Sequence, residues 1–378
     1  MDEVPPYSLQ KLIDYLNTAS MEAGKSIYLN LILARKRAWD RVYDKIAEYS
    51  DRKISPWNIN LHKTQEQDLF ILEFKPKRGE ERSRLFYWKL LTYNEHIIII
   101  SFSTAEFWDI RRCLDSFIRC TEGFWYPWIG SKFLENLDLF ITSVIGQEAT
   151  IKVRPLSCYE RDKRRKFGIK EIRYPEEWMT FKEFGDELVE DRRKGKFVFL
   201  KKIRCYVIHA GSVFKCSISD RAQIMFEPGG SFHLFAELLR PLVDRIQAMQ
   251  ENFRRKMIIK EEKVLVEDKP IILKTIQELQ VLTIRPEISN NWFEGFIGLF
   301  SNNEELKREG LVSFVLASGN PYFLSHMVDI THGSSVYLSA SEEQIRIAPA
   351  ESITKAETVG TILELVEKFI DPTINVEP

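Results

Sequence analysis

The sequence has no apolar run long enough to cross a bilayer: the longest, His96 to Phe102, falls far short of the roughly 20 residues such a helix needs. Its opening, MDEVPPYSLQ, lacks the basic segment and apolar core of a secretory signal, so an intracellular protein with no membrane partner is expected. The five cysteines are odd in number and include no CxxC pair, which argues against a disulfide framework and for reduced, mostly buried thiols. The six histidines show no HxH or HExxH spacing, so neither zinc nor an imidazole-led centre is signalled. A P-loop, a GxGxxG after a strand, a GxSxG elbow and the kinase motifs are all missing, and no cofactor is expected.

What is present is a 378-residue chain, 44% hydrophobic and 12% aromatic, enough for two or three domains with a sizeable core. A formal net charge of −1 conceals an uneven distribution. Lys152 to Arg204 is basic, with runs RDKRRK (Arg161 to Lys166), RRKGK (Arg192 to Lys196) and KKIR (Lys201 to Arg204), whereas the C-terminal stretch is acid-rich. Such asymmetry permits a phosphate-binding patch on a nearly neutral protein, although solvated charged faces and a loop would look the same.

Along the chain, residues 1–55 read as a helical extension. Ser8 suits an N-cap before Leu9, Leu12, Ile13 and Leu16, and a longer helix is expected through Leu31, Leu33, Trp39, Val42, Tyr43 and Ile46. From Asp68 the period turns extended: DLFILEFK, RLFYWKLL and HIIIISFS predict an antiparallel meander, followed by a helix carrying Phe107, Ile110, Leu114, Phe117 and Ile118. The same order returns in 151–260, where strand-like sequence precedes Phe235, Leu238, Leu242, Ile246, Met249 and Phe253 at helical spacing, with Pro241 expected to kink or split the helix. It returns again in 261–378, ending in a helix with a Val359, Ile362, Val366, Phe369 and Ile370 stripe. IRYPEEWMTFKEF and IRPEISNNWFEGF lead into the second and third units with shared ordered features, so the fold class expected is α+β, built from three meander-plus-helix units.

DLFILEFKPK (Asp68 to Lys77) raises an enzymatic alternative, because Glu73 and Lys75 two apart on a strand suit a metal-dependent nuclease. That site needs a second carboxylate beside a hard cation. WNINLH (Trp57 to His62) supplies no aspartate, and Asp68 is an odd number of residues from Glu73, on the other face of a regular strand. EPGGSF reads as a glycine turn before a helix rather than a phosphate cradle.

ILEFK, SRLFYWKL (Ser83 to Leu90) and ISFSTAEFWDIRRCLDSFI (Ile100 to Ile118) resemble the first strand, the basic-aromatic second strand, and the last strand and helix of a PUR repeat. This is the ββββα unit of the purine-rich-element-binding proteins, which are related in architecture to Whirly proteins. The resemblance is best over residues 68–123; the second and third units keep the order but lack ILEFK and EFWD. It implies non-catalytic binding of single-stranded DNA or RNA on sheet faces, two units packing together, and a third unit serving self-association.

One sheet face under a helix leaves the other free to display bases and rings. Lysine and arginine would hold phosphates while exposed aromatics stack on unpaired bases. The candidates are Lys75, Lys77, Arg78, Arg82, Arg84, Tyr87 and Lys89 in the first unit, Lys202, Arg204 and Tyr206 in the second, and Arg161, Lys163, Arg164, Arg165 and Lys166 in the basic insertion. The alternative from another class is an adaptor that dimerises or recruits a protein partner through the acidic third unit.

Overall fold

The computed structural model describes residues 8–52, 55–78, 83–93, 96–104, 107–162, 168–172, 177–194, 198–256, 260–266, 269–275, 282–285, 292–301, 303–319, 322–350, 356–370 and 375–376. Helix α1 (Leu9–Met21) is capped by Ser8, whose hydroxyl accepts from the Lys11 N–H at 3.2 Å, and it buries Leu12 and Leu16. The next segment departs from expectation: Ile27–Arg35 is a strand, β1, not a helix. All but two of its residues are buried, so both faces are apolar, the alternation that marks a half-exposed strand is lost, and its leucines mimic helical spacing. Short helices α2 (Lys36–Asp40) and α3 (Val42–Ser50) follow.

Strand β2 (Trp57–Lys63) precedes the expected meander, which forms as β3 (Leu69–Pro76), β4 (Arg84–Thr92) and β5 (His96–Ser103). The helix after it is α4 (Phe107–Ile110), a π-helical turn over Arg111–Asp115, and α5 (Ser116–Cys120). Then come β6 (Phe124–Trp125), α6 (Ser131–Glu135), α7 (Leu137–Ile145), β7 (Thr150–Asp162), β8 (Gly168–Ile172), β9 (Met179–Thr180) and α8 (Phe181–Arg193), the last opened by a Thr180–Glu183 capping box. Residues 163–167 of the basic run lie outside the described residues, and those flanking them on either side form β7 and β8. Strands β10 (Val198–His209), β11 (Ser212–Ser219) and β12 (Gln223–Phe226) precede α9 (Phe232–Ala236) and α10 (Leu239–Lys256). The helix splits as expected, and Pro241 sits in the first turn of α10, where its missing N–H costs no helical bond.

These strands make one sheet of twelve, in the order β2-β3-β4-β5-β1-β12-β11-β10-β7-β8, with β6 also pairing β1 and β9 pairing β7; the paired strands run antiparallel. Strand β1 is the seam, with Leu29 opposite Phe102 of β5 on one side and Ile224 of β12 on the other. One face is covered across both halves by α1 and α6 to α10, in a core that includes Leu31, Ile71, Tyr87, Phe102, Cys205, Phe214 and Phe226. The opposite face is covered only over β2–β5 and β1, where Trp88, Phe74, Phe86 and Ile99 pack against Val42, Ile46 and Tyr49 of α3 and Phe117 of α5.

The remaining elements are the hairpin β13 (Lys260–Val266) and β14 (Lys269–Thr275), then β15 (Leu282–Arg285), α11 (Trp292–Phe300), α12 (Asn303–Arg308), β16 (Leu311–Gly319), β17 (Tyr322–Asp329), β18 (Ser334–Ser341), β19 (Ile345–Pro349), α13 (Ala356–Phe369) and β20 (Asn375–Val376). They contain a second sheet, β16-β17-β18-β19-β15-β20, with α11 and α13 on one face. The stripe Val359, Ile362, Val366, Phe369 and Ile370 is buried there as predicted. Phe253 at the end of α10 enters this second core, so one helix serves both.

Two carboxylates of α13 dock it onto the large sheet and a third onto the loop before α6 and the first residue of that helix. Glu357 accepts from the Arg35 guanidinium of β1 at 2.7 Å, and Glu364 from Arg221, between β11 and β12, at 2.6 Å. Glu367 accepts from the Ser131 N–H at 2.5 Å and from the Trp128 indole N–H at 3.1 Å. Burial pushes the Glu367 carboxyl well above its ordinary range, against the pull of those two donors. The chain is thus α+β with antiparallel sheets, and among the described residues no helix is long and apolar enough to cross a membrane.

Candidate nucleic-acid interface

On β3 the side chains of Glu73 and Lys75 share one face, and the ammonium of Lys75 stands 3.4 Å from the Glu73 carboxylate. His62 of β2 lies 3.0 Å from that same carboxylate. Burial alone would raise the Glu73 pKa, but hydrogen bonds from His62 and Ser83, the Lys75 charge and Asn60 together lower it. Asp68 lies in the turn before β3 and is held by Lys89 at 2.7 Å, with Glu66 at 3.6 Å from the same ammonium. The second carboxylate that a nuclease would require is therefore engaged elsewhere, and among the described residues no three His, Cys, Asp or Glu side chains gather as a metal site.

The other first-unit candidates are also drawn into the fold. Lys77 donates to the carbonyls of Ser50 and Arg52, and Arg84 pairs with Asp109 at 2.5 Å. Tyr87 is 5% exposed, its ring 6.3 Å from that of Tyr15 of α1. The expected stacking surface here is thus covered, because α1 lies on the face that a meander with a single covering helix would leave open. Arg78 is exposed, and Arg82 lies outside the described residues.

The second half of the sheet is different. Directly opposed residues of antiparallel strands share a face. Tyr28, Met225, Ser217, Arg204 and Arg154 accordingly form one row across β1, β12, β11, β10 and β7. A second row places Lys215, Tyr206, Lys152 and Thr180 side by side, and Lys202 continues the same face of β10. This is the face that α3 and α5 cover over the first half; over the second, among the described residues, no helix of the core clusters covers it, and there Lys152 and Thr180 are exposed, Arg154, Lys202, Arg204, Tyr206 and Lys215 half-buried and Ser217 buried.

Aromatic and cationic groups interleave on it. The Trp178 ring, just before β9, lies 5.7 Å from the Tyr206 ring. The Arg204 guanidinium sits over Trp178 at 5.3 Å and the Lys215 ammonium over Tyr206 at 5.2 Å. Glu227 takes two hydrogen bonds from Arg204. Burial lowers the pKa of Lys202, with the nearby Glu227 charge opposing the shift. Five cations, Lys152, Arg154, Lys202, Arg204 and Lys215, thus share one face with the Trp178 and Tyr206 rings, a combination that can meet both a phosphate backbone and unpaired bases.

Lys202, Arg204 and Tyr206 are therefore brought together, and Lys152, Arg154, Lys215 and Trp178 join them without having been singled out from sequence. The alternation in IKVRP (Ile151 to Pro155) was the available signal for the first two. Trp178 carried none, since its approach depends on β9 folding onto β7. Arg161 lies in β7 with its backbone paired to Ile169, whereas Lys163, Arg164, Arg165 and Lys166 lie outside the described residues. Neither a family model nor a curated protein matches this chain.

Proposed function

We propose that the protein is a non-catalytic binder of single-stranded DNA or RNA and that the open half of the large sheet is its main contact surface. The observation that carries this is the paired Trp178 and Tyr206 rings flanked by Arg204 and Lys215 on a sheet face that, among the described residues, no core helix covers. Stacking on such rings supplies about 1–3 kcal/mol per base, and each phosphate neutralised adds to the salt dependence. The reading also keeps the PUR-like and Whirly-like unit: the four strands β2 to β5 are followed by α4 and α5, and the four strands β16 to β19 by α13.

The test is binding of labelled single-stranded and duplex oligonucleotides across a salt series, with and without magnesium. Saturable single-strand binding that weakens with salt is expected, and combining Arg154→Ala with Lys215→Ala reduces the log–log salt slope by about 1.4, at roughly 0.7 per phosphate contact. Absence of saturable single-strand binding at low salt sinks the proposal. Magnesium-dependent cleavage abolished by Glu73→Gln would restore the nuclease instead.

A second reading, an adaptor that self-associates or recruits a protein through the third unit, rests on β16. Among the described residues it is one of the two edge strands of its sheet, and Phe314, Val315 and Leu316 on it are 54%, 41% and 58% exposed. Phe314, His326 and Tyr337 continue an aromatic row across β16, β17 and β18. An uncharged apolar edge is a template for strand addition. Light-scattering mass across a concentration series distinguishes the cases: a dimer converted to monomer by Leu316→Lys favours this reading, and a monomer throughout removes self-association from it.

A further inference from the structure

A cleft of about 540 Å³ opens between the α5–β6 turn, the end of α10, the turn before β16 and α13, and it shares no residue with the sheet rows described above. Its size lies within the roughly 300–1,000 Å³ range of small-molecule sites. Three of its four carboxylates are matched by cations, Glu357 by Arg35, Glu364 by Arg221 and Glu309 by Lys368, and the fourth, Glu122, is exposed to solvent. Arg119 and Lys307 are exposed on its wall and form no ion pair among the described residues.

The rest of the lining points to a planar group with polar edges. Trp125 and Trp128 are half-buried along it. The Thr121 hydroxyl is buried there without a hydrogen-bond partner, a group whose desolvation a ligand would offset. His332 presents an imidazole fixed by Asp329, 2.7 Å from its Nδ1, and Asp329 in turn accepts from the Thr358 hydroxyl at 2.8 Å. An inorganic anion would leave the tryptophans and most of the volume unused, and a neutral ring would leave Arg119 and Lys307 unused.

We propose that this cleft binds a nucleoside phosphate, with the phosphate drawn by Arg119 and Lys307 and the base placed against the tryptophan wall beside Thr121 and His332. The site is independent of strand binding on the open sheet face. The experiment is a titration of intrinsic tryptophan fluorescence in the full chain with adenosine monophosphate, adenosine and inorganic phosphate as separate probes.

Saturable quenching by the monophosphate below about 1 mM is expected, with adenosine and phosphate each at least about tenfold weaker. Arg119→Ala with Lys307→Ala, both at exposed positions, should weaken the monophosphate at least about tenfold while leaving adenosine binding and the circular dichroism spectrum unchanged. No saturation by the monophosphate, or equal affinity in the double variant, overturns the proposal. The Arg154→Ala, Lys215→Ala variant should retain monophosphate binding, so failure of the sheet site and failure of the cleft are read separately.

Discussion

Arg204 lies across the face of Trp178, its guanidinium carbon 5.3 Å from the ring centroid, while Glu227 holds the same guanidinium by two hydrogen bonds. This cation is thus oriented by an aromatic and partly neutralised by a carboxylate.

Glu227→Gln should therefore strengthen single-strand binding and steepen its salt dependence by up to about 0.7 in log–log slope, because Arg204 gains a free charge. Trp178→Ala should weaken binding by about 1–3 kcal/mol with the slope little changed, because it removes stacking and leaves the charges. Fluorescence anisotropy at several salt concentrations separates the two effects. A Glu227→Gln protein that binds no better than the parent would remove Arg204 from the contact surface.

Arg35 and Glu357 join the seam strand β1 to α13 at 2.7 Å, with the carboxylate side chain only 3% exposed. Arg35→Met leaves that carboxylate buried without its partner. A loss of about 3 kcal/mol is expected, at the lower end for breaking a buried pair because Arg35 is itself partly exposed. It should be visible as a lower urea midpoint; an unchanged midpoint would mean that the pair contributes nothing net.

The pH dependence of stability follows from two buried acids, Asp220 in the turn between β11 and β12 and Glu367 on α13. Burial, with Glu364 nearby, pushes the Asp220 carboxyl from 3.8 up to about 7, and burial raises Glu367 as well. Both hold a proton in the folded chain where the unfolded chain has released it. The Asp220 contribution to stability is complete below about pH 4 and is lost as pH rises through about 7, and Glu367 acts in the same direction. For Asp220 alone the change is on the order of 4 kcal/mol at about 1.4 kcal/mol per pKa unit. Melting temperatures from pH 5 to pH 8 should fall less steeply in Asp220→Asn than in the parent, and parallel curves would count against this assignment.

Gly123 has a φ of +85°, and a Cβ there would lie 2.5 Å from the Ala38 Cβ of α2. Gly123→Ala should destabilise by about 1–3 kcal/mol, through backbone strain and overpacking together. Adding Ala38→Gly relieves the clash and leaves the strain, so only part of the loss should return. Complete recovery in the denaturation midpoint would show that packing alone matters.

The legible parts of the fold are those with a long helical stripe, such as α13, or a run of β-branched and aromatic residues bounded by turn sequence, such as β3 and β5, which are legible although half of β3 and all of β5 are buried on both faces. β1 is not legible, because burial on both faces erases period 2 and its leucines fall at helical spacing. Its partnership with β12 is a tertiary choice that no local pattern encodes. The candidate site divides along the same line. Lys202, Arg204 and Tyr206 are legible at i, i+2 and i+4 on one strand, whereas Trp178 reaches them through β9 and β7. Tyr87 was misleading because its basic-aromatic neighbourhood matches a binding strand, and only α1, folded back from the N-terminal side, makes it core.

The seam strand has a further consequence for how the chain is made. Ile27 pairs with Phe226. At roughly 5–20 residues per second, the partner leaves the ribosome about 10–40 s after β1 does. During that interval the edge of β1 destined for β12 is an apolar template with no native neighbour. The large sheet is therefore most open to strand-swapping and chaperone capture in the nascent chain, and a pause in synthesis between residues 35 and 223 lengthens that exposure.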